Sequence, residues 1–383
     1  NYNCHKKGGH GTQNLLETMV NSCNPAYIMI GQLVGIQNFS KYFEAFGFTQ
    51  KTGIDLPGEA TSVYHGQEKM GTVELASSSF GQTFKVTPIQ MITAISAAVN
   101  GGNLVQPHVL EKVLDNSGNI VKSVGTTVKR QVISETTSAT MRKMMEAVVS
   151  QSTSKNMYVA GYKTGGKTGT SQKVAENISA NKDNLYIASY AAVAPADNPE
   201  IAVLVMIDEP SAGQYYGSAV SAPIGAEILT EVLPYLGYEP QYTEKELASL
   251  SISVPNVLGD TISVAKGKIS NTKLNYKIVG NGEKVVKQIP SSSNSLHSGG
   301  VVILYTQEEN TESQATVPDF SGMIISAANK TATNAGLNIQ FAGNTASSSV
   351  VAYKQNIEKD KKVSVGSVIT VYFRDTSSGN VAD

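Results

Sequence analysis

The side chains with the clearest potential for chemistry lie in two short motifs that are far apart in the sequence. The motifs are Ser22-Cys23-Asn24 and Lys167-Thr168-Gly169-Thr170. A hydroxyl beside an ammonium group can relay a proton, and a carboxamide can hydrogen-bond the backbone of a peptide. Such groups support acyl transfer through a serine ester, a reaction that also requires a nucleophilic hydroxyl and a base.

The order of the two motifs carries more information than either motif alone. Serine acyl-transferases that react with β-lactams contain S-x-x-K, S-x-N and K-T-G elements in that order. The second and third elements are present here, but no S-x-x-K precedes Ser22. Matches at Ser152–Lys155 and Ser270–Lys273 come too late in the chain, and we interpret them as solvated surface. We therefore expect the nucleophile and its lysine upstream of Asn1, in a longer chain.

Each motif also has an ordinary structural interpretation. The S-x-N element stands directly before Pro25, where polar residues commonly cap a helix and proline suits its first turn. A K-T-G triplet is common by chance, and Lys163-Thr164-Gly165 is a second copy in the same stretch. The functional interpretation therefore depends on whether the fold brings the loop at Ser22 and the strand at Lys167 together.

Hydrophobic periodicity predicts helices in the first part of the chain and strands after Gly161. Helices are predicted at 12–35, with a break at 21–24 and Asn24 as the cap of the second segment, and at 87–100, 135–151 and 221–236. Buried strands are predicted at Tyr186–Val193 and Ile201–Ile207, with a turn at 195–198. This pattern indicates an α+β domain that ends near Leu236.

Composition limits the possible functions. A chain of 383 residues is expected to hold two or three domains. Its 30 basic and 31 acidic residues are nearly balanced, which argues against a nucleic-acid-binding protein. No apolar run is long enough to span a bilayer, and the longest, Ile201–Ile207, has the length of a strand.

The region after residue 250 contains an internal duplication. Six positions recur at a constant offset of 63 residues: Val254, Pro255, Gly259, Ala265, Leu274 and Gly280 correspond to Val317, Pro318, Gly322, Ala328, Leu337 and Gly343. Towards the end the offset becomes 67, so that Gly299 and Tyr305 correspond to Gly366 and Tyr372. Such a pattern indicates two units of about 60 residues, each predicted as one helix followed by strands.

Four separated blocks resemble the transpeptidase domain of class B penicillin-binding proteins in order and spacing. They are HGTQNLLETMVNSCNPAYIMIGQLVG, FGFTQKTGIDLPGE, SSFGQTFKVTPIQMITAISAAVNGG and AGYKTGGKTGTSQK. The resemblance covers residues 1 to about 238, and the two repeats resemble PASTA modules. It implies an α+β architecture: the C-terminal part of a penicillin-binding transpeptidase (serine β-lactamase-like) domain at 1–240, then two small α+β PASTA-like domains at 251–308 and 315–375.

The resemblance also assigns roles to the residues of the two motifs. It implies catalytic roles for Ser22, Asn24 and Lys167, and substrate binding by Thr168, Gly169 and Thr170. The nucleophilic serine and its lysine have no counterpart in this sequence. Residues 1–383 alone are therefore not expected to form an acyl-enzyme.

The function implied by the resemblance is that of a penicillin-sensitive peptidoglycan D,D-transpeptidase, which cross-links stem peptides through an acyl-serine intermediate. β-Lactams would acylate the same serine. The repeats and the cysteine pair are most similar to sporulation-specific members of the family, which implies synthesis of the spore cortex. The expected location is the extracytoplasmic face of the bacterial membrane, with an anchoring helix upstream and a membrane glycosyltransferase as partner. The alternatives are a D,D-carboxypeptidase, a β-lactamase and a non-catalytic peptidoglycan-binding scaffold.

Cys4, His5, His10 and Cys23 crowd the approach to the Ser22 loop, and three interpretations remain open. The cysteines are simple buried thiols, or they form a disulfide, which an extracytoplasmic location permits. In the third interpretation, Cys4, His10 and Cys23 bind zinc with a fourth ligand from upstream, since zinc favours thiolate and imidazole. The spacing of six and then thirteen residues resembles a ligand pattern of some class B relatives, in which a carboxylate replaces the first cysteine.

Overall fold

The computed structural model describes residues 4–375, apart from 153, 182–184, 212, 239, 244–245, 247–250, 298, 308–311 and 344–349. Its contacts divide the chain into two compact units, Asn1–Leu236 and Gly237–Asp383. The first unit contains both candidate motifs, and the second contains the two repeats. Among the described residues, no helix combines the length and the apolar character needed to cross a membrane.

Helices dominate the first unit before residue 150. They are α1 (Leu15–Asn21), α2 (Asn24–Ala45), α3 (Thr72–Ser79), α4 (Pro88–Val99) and α5 (Glu135–Ser150). Helix α2 is kinked at Gly35, whose φ of 76° and ψ of 162° are not helical. Reciprocal capping boxes begin α1, through Asn14 and Glu17, and α4, through Thr87 and Gln90. The predicted helices at 87–100 and 135–151 are confirmed, and so is the break between α1 and α2.

Four short strands between α4 and α5 escape prediction from the sequence. They are β1 (Asn103–Gln106), β2 (Lys112–Leu114), β3 (Ile120–Ser123) and β4 (Thr127–Gln131). β1 pairs with β4 and β2 with β3, both antiparallel. Strands of three to five residues that are mostly exposed show no alternation of apolar and polar residues, so periodicity does not detect them.

A three-stranded antiparallel sheet forms the second half of this unit. It consists of β5 (Gly165–Gln172), β6 (Tyr186–Ala194) and β7 (Ile201–Asp208), in that spatial order. Helix α6 (Val174–Ala180) connects β5 to β6, and α7 (Gly217–Val220) and α8 (Ala222–Tyr235) follow β7. The predicted strand positions and the α+β class are confirmed, but β7 is only partly buried and not buried as predicted. The final helix is preceded by a separate short one.

The central strand of this sheet is held by one fully buried aromatic ring. Tyr190 of β6 is 0% exposed. A Cβ atom on Gly166 of β5 or on Gly225 of α8 would lie within 3 Å of its ring atoms. Glycine at these two positions therefore lets β5 and α8 close on opposite sides of the ring, which fixes the position of β5.

Each repeat of the second unit has the same order of elements. The first contains β8 (Ser251–Ser253), α9 (Ile262–Ser270), β9 (Asn275–Val279), β10 (Lys287–Ile289), β11 (Ser295–His297) and β12 (Val301–Tyr305). The second contains β13 (Gln314–Thr316), α10 (Ile325–Asn334), β14 (Asn338–Gly343), β15 (Val350–Gln355), β16 (Lys362–Ser364) and β17 (Val368–Asp375). The parallel pairs β9–β12 and β14–β17 correspond. A three-residue strand precedes each helix, so the predicted order of helix first is wrong.

The two repeats pack against each other through specific contacts. The Asn338 side chain of the second repeat accepts a hydrogen bond from the Val301 N–H and donates one to the Val301 carbonyl, both at 3.0 Å. The His297 ring stacks on the Phe341 ring with centroids 4.4 Å apart. Val368 of the second repeat packs against the apolar core of the first. The repeats therefore form one packed body within this unit.

Candidate active site

Ser22 lies in the tight connection between α1 and α2. Its backbone is left-handed, with φ 50° and ψ 47°, and its N–H donates to the carbonyls of the last turn of α1. Residues with a Cβ atom rarely adopt this conformation, so the surrounding structure must hold it. The conformation turns the chain sharply and starts α2 two residues later.

Asn24 is the first residue of α2 and does not cap it. The N-cap position belongs to Cys23, which makes no side-chain capping bond, so the predicted cap is displaced by one residue. Asn24 is partly buried, and among the described residues its carboxamide makes no hydrogen bond. The structure therefore leaves this amide available to a ligand.

Lys167 on β5 reaches the Ser22 loop directly. Its Nζ donates to Ser22 Oγ at 2.8 Å and to the Thr168 carbonyl at 2.9 Å. Burial lowers the pKa of Lys167 to about 8, because a poorly solvated site disfavours the ammonium form. The structure thus joins the two motifs across 145 positions of sequence, and it gives the lysine a pKa close to the physiological range.

Strand β5 presents one unpaired edge in the described part of the sheet, since it pairs there with β6 alone. Thr168, Gly169 and Thr170 follow Lys167 along this strand, each partly buried. The Thr170 hydroxyl accepts a hydrogen bond from the Gly217 N–H at 3.0 Å. This bond ties the middle of β5 to the start of α7.

Gly217, next to Gly169 of β5, is required by the protein's own packing. A Cβ atom on Gly169 would lie 2.6 Å from Ser189 Oγ on β6, and one on Gly217 would lie 2.4 Å from the carbonyl oxygens of Gly169 and Ser189. The Ser189 hydroxyl could rotate away from a Cβ on Gly169, but the backbone carbonyls that face Gly217 exclude a side chain there. Glycine at position 217 therefore lets α7 approach β5 and β6 closely near Lys167.

Three tyrosines that were not identified from the sequence lie beside the end of β5. Tyr186 is opposite Gln172, the last residue of the strand, and its ring stacks on Tyr215 with centroids 4.2 Å apart. Tyr215 in turn contacts Tyr216 at 4.5 Å, directly before Gly217. The signal in the sequence is the Tyr215-Tyr216-Gly217 run after the apolar run of β7. The rings form a partly exposed aromatic surface next to the Lys167 strand.

The structure brings two of the three predicted zinc ligands together and adds His5 to them. Cys4 Sγ lies 3.2 Å from His10 Nδ1 and 3.8 Å from His5 Nδ1, and these ligand atoms all lie within 4.8 Å of one another. Tetrahedral zinc, with Zn–S about 2.3 Å and Zn–N about 2.0 Å, separates sulfur from nitrogen by about 3.6 Å. Burial lowers the pKa of His10, and the neighbouring His5 and Lys6 lower it further, which favours the neutral imidazole that metals bind. The donor set therefore fits zinc.

Cys23 is not part of that group. Its side chain is 5% exposed in the junction of α1 and α2, where its N–H donates to the Thr18 carbonyl. Both Cys4 and Cys23 are free thiols, so the disulfide interpretation is not realised in this structure. The reason is local: Cys23 is enclosed at the start of α2, whereas Cys4 lies in the turn that contains His5 and His10.

The sequence matches two known domain families. Residues 1–230 match the penicillin binding protein transpeptidase domain, and residues 252–308 and 315–375 each match the PASTA domain. Stage V sporulation protein D of Bacillus subtilis is 41% identical over 318 residues, which are 82% of this chain and 49% of that protein. Peptidoglycan D,D-transpeptidase FtsI of Escherichia coli is 32% identical over 199 residues, 52% of this chain and 32% of that one. The chain thus spans about half the length, or less, of these relatives.

Solved structures agree with the sequence match. The transpeptidase domain of penicillin-binding protein 3 from Burkholderia pseudomallei has a TM-score of 0.53 at 29% identity, covering 61% of this chain and 67% of that one. Penicillin-binding protein 3 from Mycobacterium tuberculosis, complexed with aztreonam, has a TM-score of 0.54 at 27% identity, covering 59% and 52%. With the Ser22–Lys167 contact at an unpaired strand edge, these matches show that the chain belongs to the penicillin-binding protein transpeptidase family and carries two C-terminal PASTA domains.

Proposed function

We propose that this chain supplies the Ser22, Asn24 and Lys167 part of the active site of a penicillin-sensitive peptidoglycan D,D-transpeptidase. The observation that carries the proposal is the 2.8 Å bond between Lys167 Nζ and Ser22 Oγ, beside a strand with an unpaired edge. If Lys167 only stabilised the fold, it would require neither a partner serine with a left-handed backbone nor a pKa lowered to about 8. Both features are common where a site must move protons.

The proposed reaction has two acyl-transfer steps. A serine from upstream of Asn1 attacks the carbonyl of the penultimate D-alanine in a stem peptide, the bond to the terminal D-alanine breaks, and the leaving amine takes up a proton. An amine of a neighbouring stem peptide then attacks the serine ester, loses a proton, and restores the serine hydroxyl. Ser22 and Lys167 relay protons between the nucleophile, its base and the leaving amine.

Substrate binding is assigned to Asn24 and to strand β5. An extended stem peptide adds to the unpaired edge of β5, as peptides do at exposed strand edges. The Asn24 carboxamide hydrogen-bonds the peptide backbone, and the Thr168 and Thr170 hydroxyls bind the terminal carboxylate near the Lys167 ammonium. The hydrogen bond from the Gly217 N–H holds the Thr170 hydroxyl in position.

The setting of this reaction follows from the relatives. The similarity to a protein named for sporulation supports a role in the spore cortex. The solved complexes of a relative with aztreonam and with ampicillin support β-lactams as ligands. Cross-linking takes place on the extracytoplasmic face of the membrane, so the proposal includes an anchoring helix upstream of Asn1. Since class B members do not polymerise glycan, it also includes a membrane glycosyltransferase as partner.

The same proposal includes a structural zinc ion held by Cys4 and His10, with His5 as the third ligand present in this structure. Bound zinc would supply a tetrahedral cross-link and no step of the reaction. Cys23 joins the set only if the segment before α1 moves towards the start of α2. The cross-link would stiffen the approach to the Ser22 loop.

The test is covalent labelling of the whole protein, including the part upstream of Asn1, with a fluorescent penicillin. We expect a stable adduct, and we expect Lys167→Ala to slow its formation by about 10²- to 10⁴-fold. Lys163→Ala, in the neighbouring K-T-G copy, is the matched control and should label normally. No adduct on the wild type would favour a non-catalytic scaffold. Rapid release of hydrolysed penicillin would indicate a β-lactamase, and release of D-alanine without cross-linking would indicate a D,D-carboxypeptidase.

A further inference from the structure

A second contact joins the helical part of the candidate site to its sheet. Lys85 lies in the segment between α3 and α4, and Glu176 lies on α6, directly after β5. The Lys85 Nζ is 2.8 Å from Glu176 Oε1, across 91 positions of sequence. The ammonium group lowers the pKa of Glu176, so this carboxylate remains charged.

The segment that carries Lys85 is fixed by backbone bonds. The Lys85 N–H and carbonyl pair with the carbonyl and N–H of Val63 at 2.7 and 2.8 Å. Two residues earlier, Thr83 has a left-handed backbone with φ 66°, and its hydroxyl bonds to the hydroxyls of Ser77 and Ser78 at the end of α3. This end of the contact is therefore held in place without help from Glu176.

Helix α6, which carries Glu176, is fixed independently. The buried Asn177 side chain bonds to both the N–H and the carbonyl of Leu185. Lys173, at the start of α6, forms ion pairs with Asp208, the last residue of β7, and with the following Glu209, at 3.1 and 2.6 Å. The ion pair of Lys85 with Glu176 thus joins two elements that are each anchored, which reduces the entropy lost in forming it.

The Lys85 segment belongs to the same side of the site as Ser22. Helix α3 packs so closely on α2 that a Cβ atom on Gly31 would lie 1.8 Å from Ser79 Oγ, and α2 starts at Asn24. Among the side-chain bonds of the described residues, Ser22–Lys167 and Lys85–Glu176 both cross from this helical side to the β5 side. In the sequence, the last five residues of β5, Thr168–Gln172, separate Lys167 from the helix that carries Glu176, and they span about 17 Å at about 3.3 Å per residue.

We propose that the Lys85–Glu176 pair closes the far end of a peptide-binding groove along β5 and positions the bound donor peptide. This inference rests on the proposed function. The ligand class is an extended peptide of about five residues, whose C-terminal carboxylate lies at Lys167 and whose other end lies beside the ion pair. A penicillin is shorter, so it occupies the Lys167 end and does not reach Lys85. The pair acts on the reaction through the position of the peptide, not by contact with reacting atoms.

The test uses the full-length protein and a charge-swap cycle. Lys85→Glu and Glu176→Lys each place like charges opposite each other, and the double variant restores opposite charges. We expect each single variant to raise KM for a stem pentapeptide by about two- to fivefold, the range of an exposed ion pair, with kcat and the rate of penicillin acylation unchanged. The double variant should recover the wild-type KM. Lys112→Ala, which removes an exposed lysine beside Glu111 on the β2–β3 hairpin, is the matched control.

Three results would overturn the inference. They are an unchanged KM in both single variants, a double variant no better than the singles, and a fall in penicillin acylation as large as the fall in peptide turnover. The last result would indicate a role in local folding. A wild-type protein that penicillin does not acylate would instead refute the proposed function, and this inference with it.

Discussion

The Lys167 ammonium bonds to the hydroxyl of a serine, Ser22, whose own backbone is in the left-handed region. The hydroxyl is thus positioned from two directions. The last turn of α1 fixes the backbone through the carbonyls of Thr18 and Met19, and the partly buried Lys167 fixes the side chain. Mutation can separate these two constraints. Glycine at position 22 would keep the left-handed backbone but would lose the hydroxyl that bonds to Lys167.

Replacement of Ser22 by glycine should remove the hydroxyl without disturbing the turn. Glycine adopts a φ of 50° readily, so thermal stability should be unchanged or slightly higher. If Ser22 relays a proton, acylation of the full-length protein by penicillin should fall about 100-fold or more. Stopped-flow labelling measures the acylation rate. The Ser22→Ala variant should be as slow as Ser22→Gly, because it also lacks the hydroxyl. Normal acylation of Ser22→Gly would exclude the relay.

The pH dependence of acylation should report the state of Lys167. Its pKa of about 8 means that the ammonium form is present below pH 8 and is lost as the pH rises above that value. If the ammonium form acts, the acylation rate should fall above pH 8, whereas a lysine with an ordinary pKa of about 10.4 would sustain it to higher pH. Lys167→Arg keeps the charge and should lose this decrease, at a lower overall rate. A rate that rises through pH 8 would indicate the neutral amine as the active form.

The parts of the fold that follow from the sequence are those with strong periodicity. Helix α4 and strand β6 bury long apolar runs, and β7 is an apolar run that is partly buried, so their positions can be predicted within a few residues. The contact between Ser22 and Lys167 could be predicted as well, because the S-x-N and K-T-G elements occur in the order that is typical of one shared active site. Periodicity carries no information on the exposed β2–β3 hairpin.

The remaining features depend on tertiary contacts that leave no local pattern. Lys85 and Glu176 are ordinary surface residues in the sequence, and only the approach of α6 to the Lys85 segment pairs them. His5 is a different case. Its spacing from His10 fits no regular element, but Gly8 and Gly9 both have positive φ and turn the chain back on itself. That turn brings the two imidazole rings to 5.2 Å.

The metal proposal makes a prediction that distinguishes two ligand sets. If the group seen here binds zinc, the His5→Ala variant should lose metal as Cys4→Ser and His10→Ala do, and Cys23→Ser should retain it. If the set is Cys4, His10 and Cys23, then Cys23→Ser should lose zinc and His5→Ala should retain it. Zinc content of purified full-length protein, measured by mass spectrometry of the metal, decides between them. His65→Ala is the control, and a wild type without zinc after growth in zinc-replete medium would refute both sets.

The junction of the two PASTA domains should depend on one side chain. Asn338→Ala would leave the Val301 N–H and carbonyl without their partner, and the Gly366 carbonyl as well. Unpaired polar groups of this kind cost about 1–3 kcal/mol each when buried. We expect faster hydrogen exchange at the Val301 amide and an earlier unfolding transition of the second unit. Asn334→Ala, on the exposed end of α10, is the matched control. Equal exchange in the two variants would show that the repeats do not depend on this contact.

The same junction should weaken in mild acid through His297. Burial against the second repeat lowers the pKa of His297 to about 4, so the folded junction favours the neutral ring. When the junction opens, the ring recovers an ordinary pKa of about 6.5 and binds a proton more readily. Its contribution to stability is therefore complete above pH 6.5 and declines as the pH falls towards 4. His297→Phe keeps an aromatic ring against Phe341 without a titrating group. The difference in melting temperature between the wild type and this variant should change between pH 6.5 and pH 4. A difference that stays constant from pH 7 to pH 4 would show that His297 does not titrate when the junction opens.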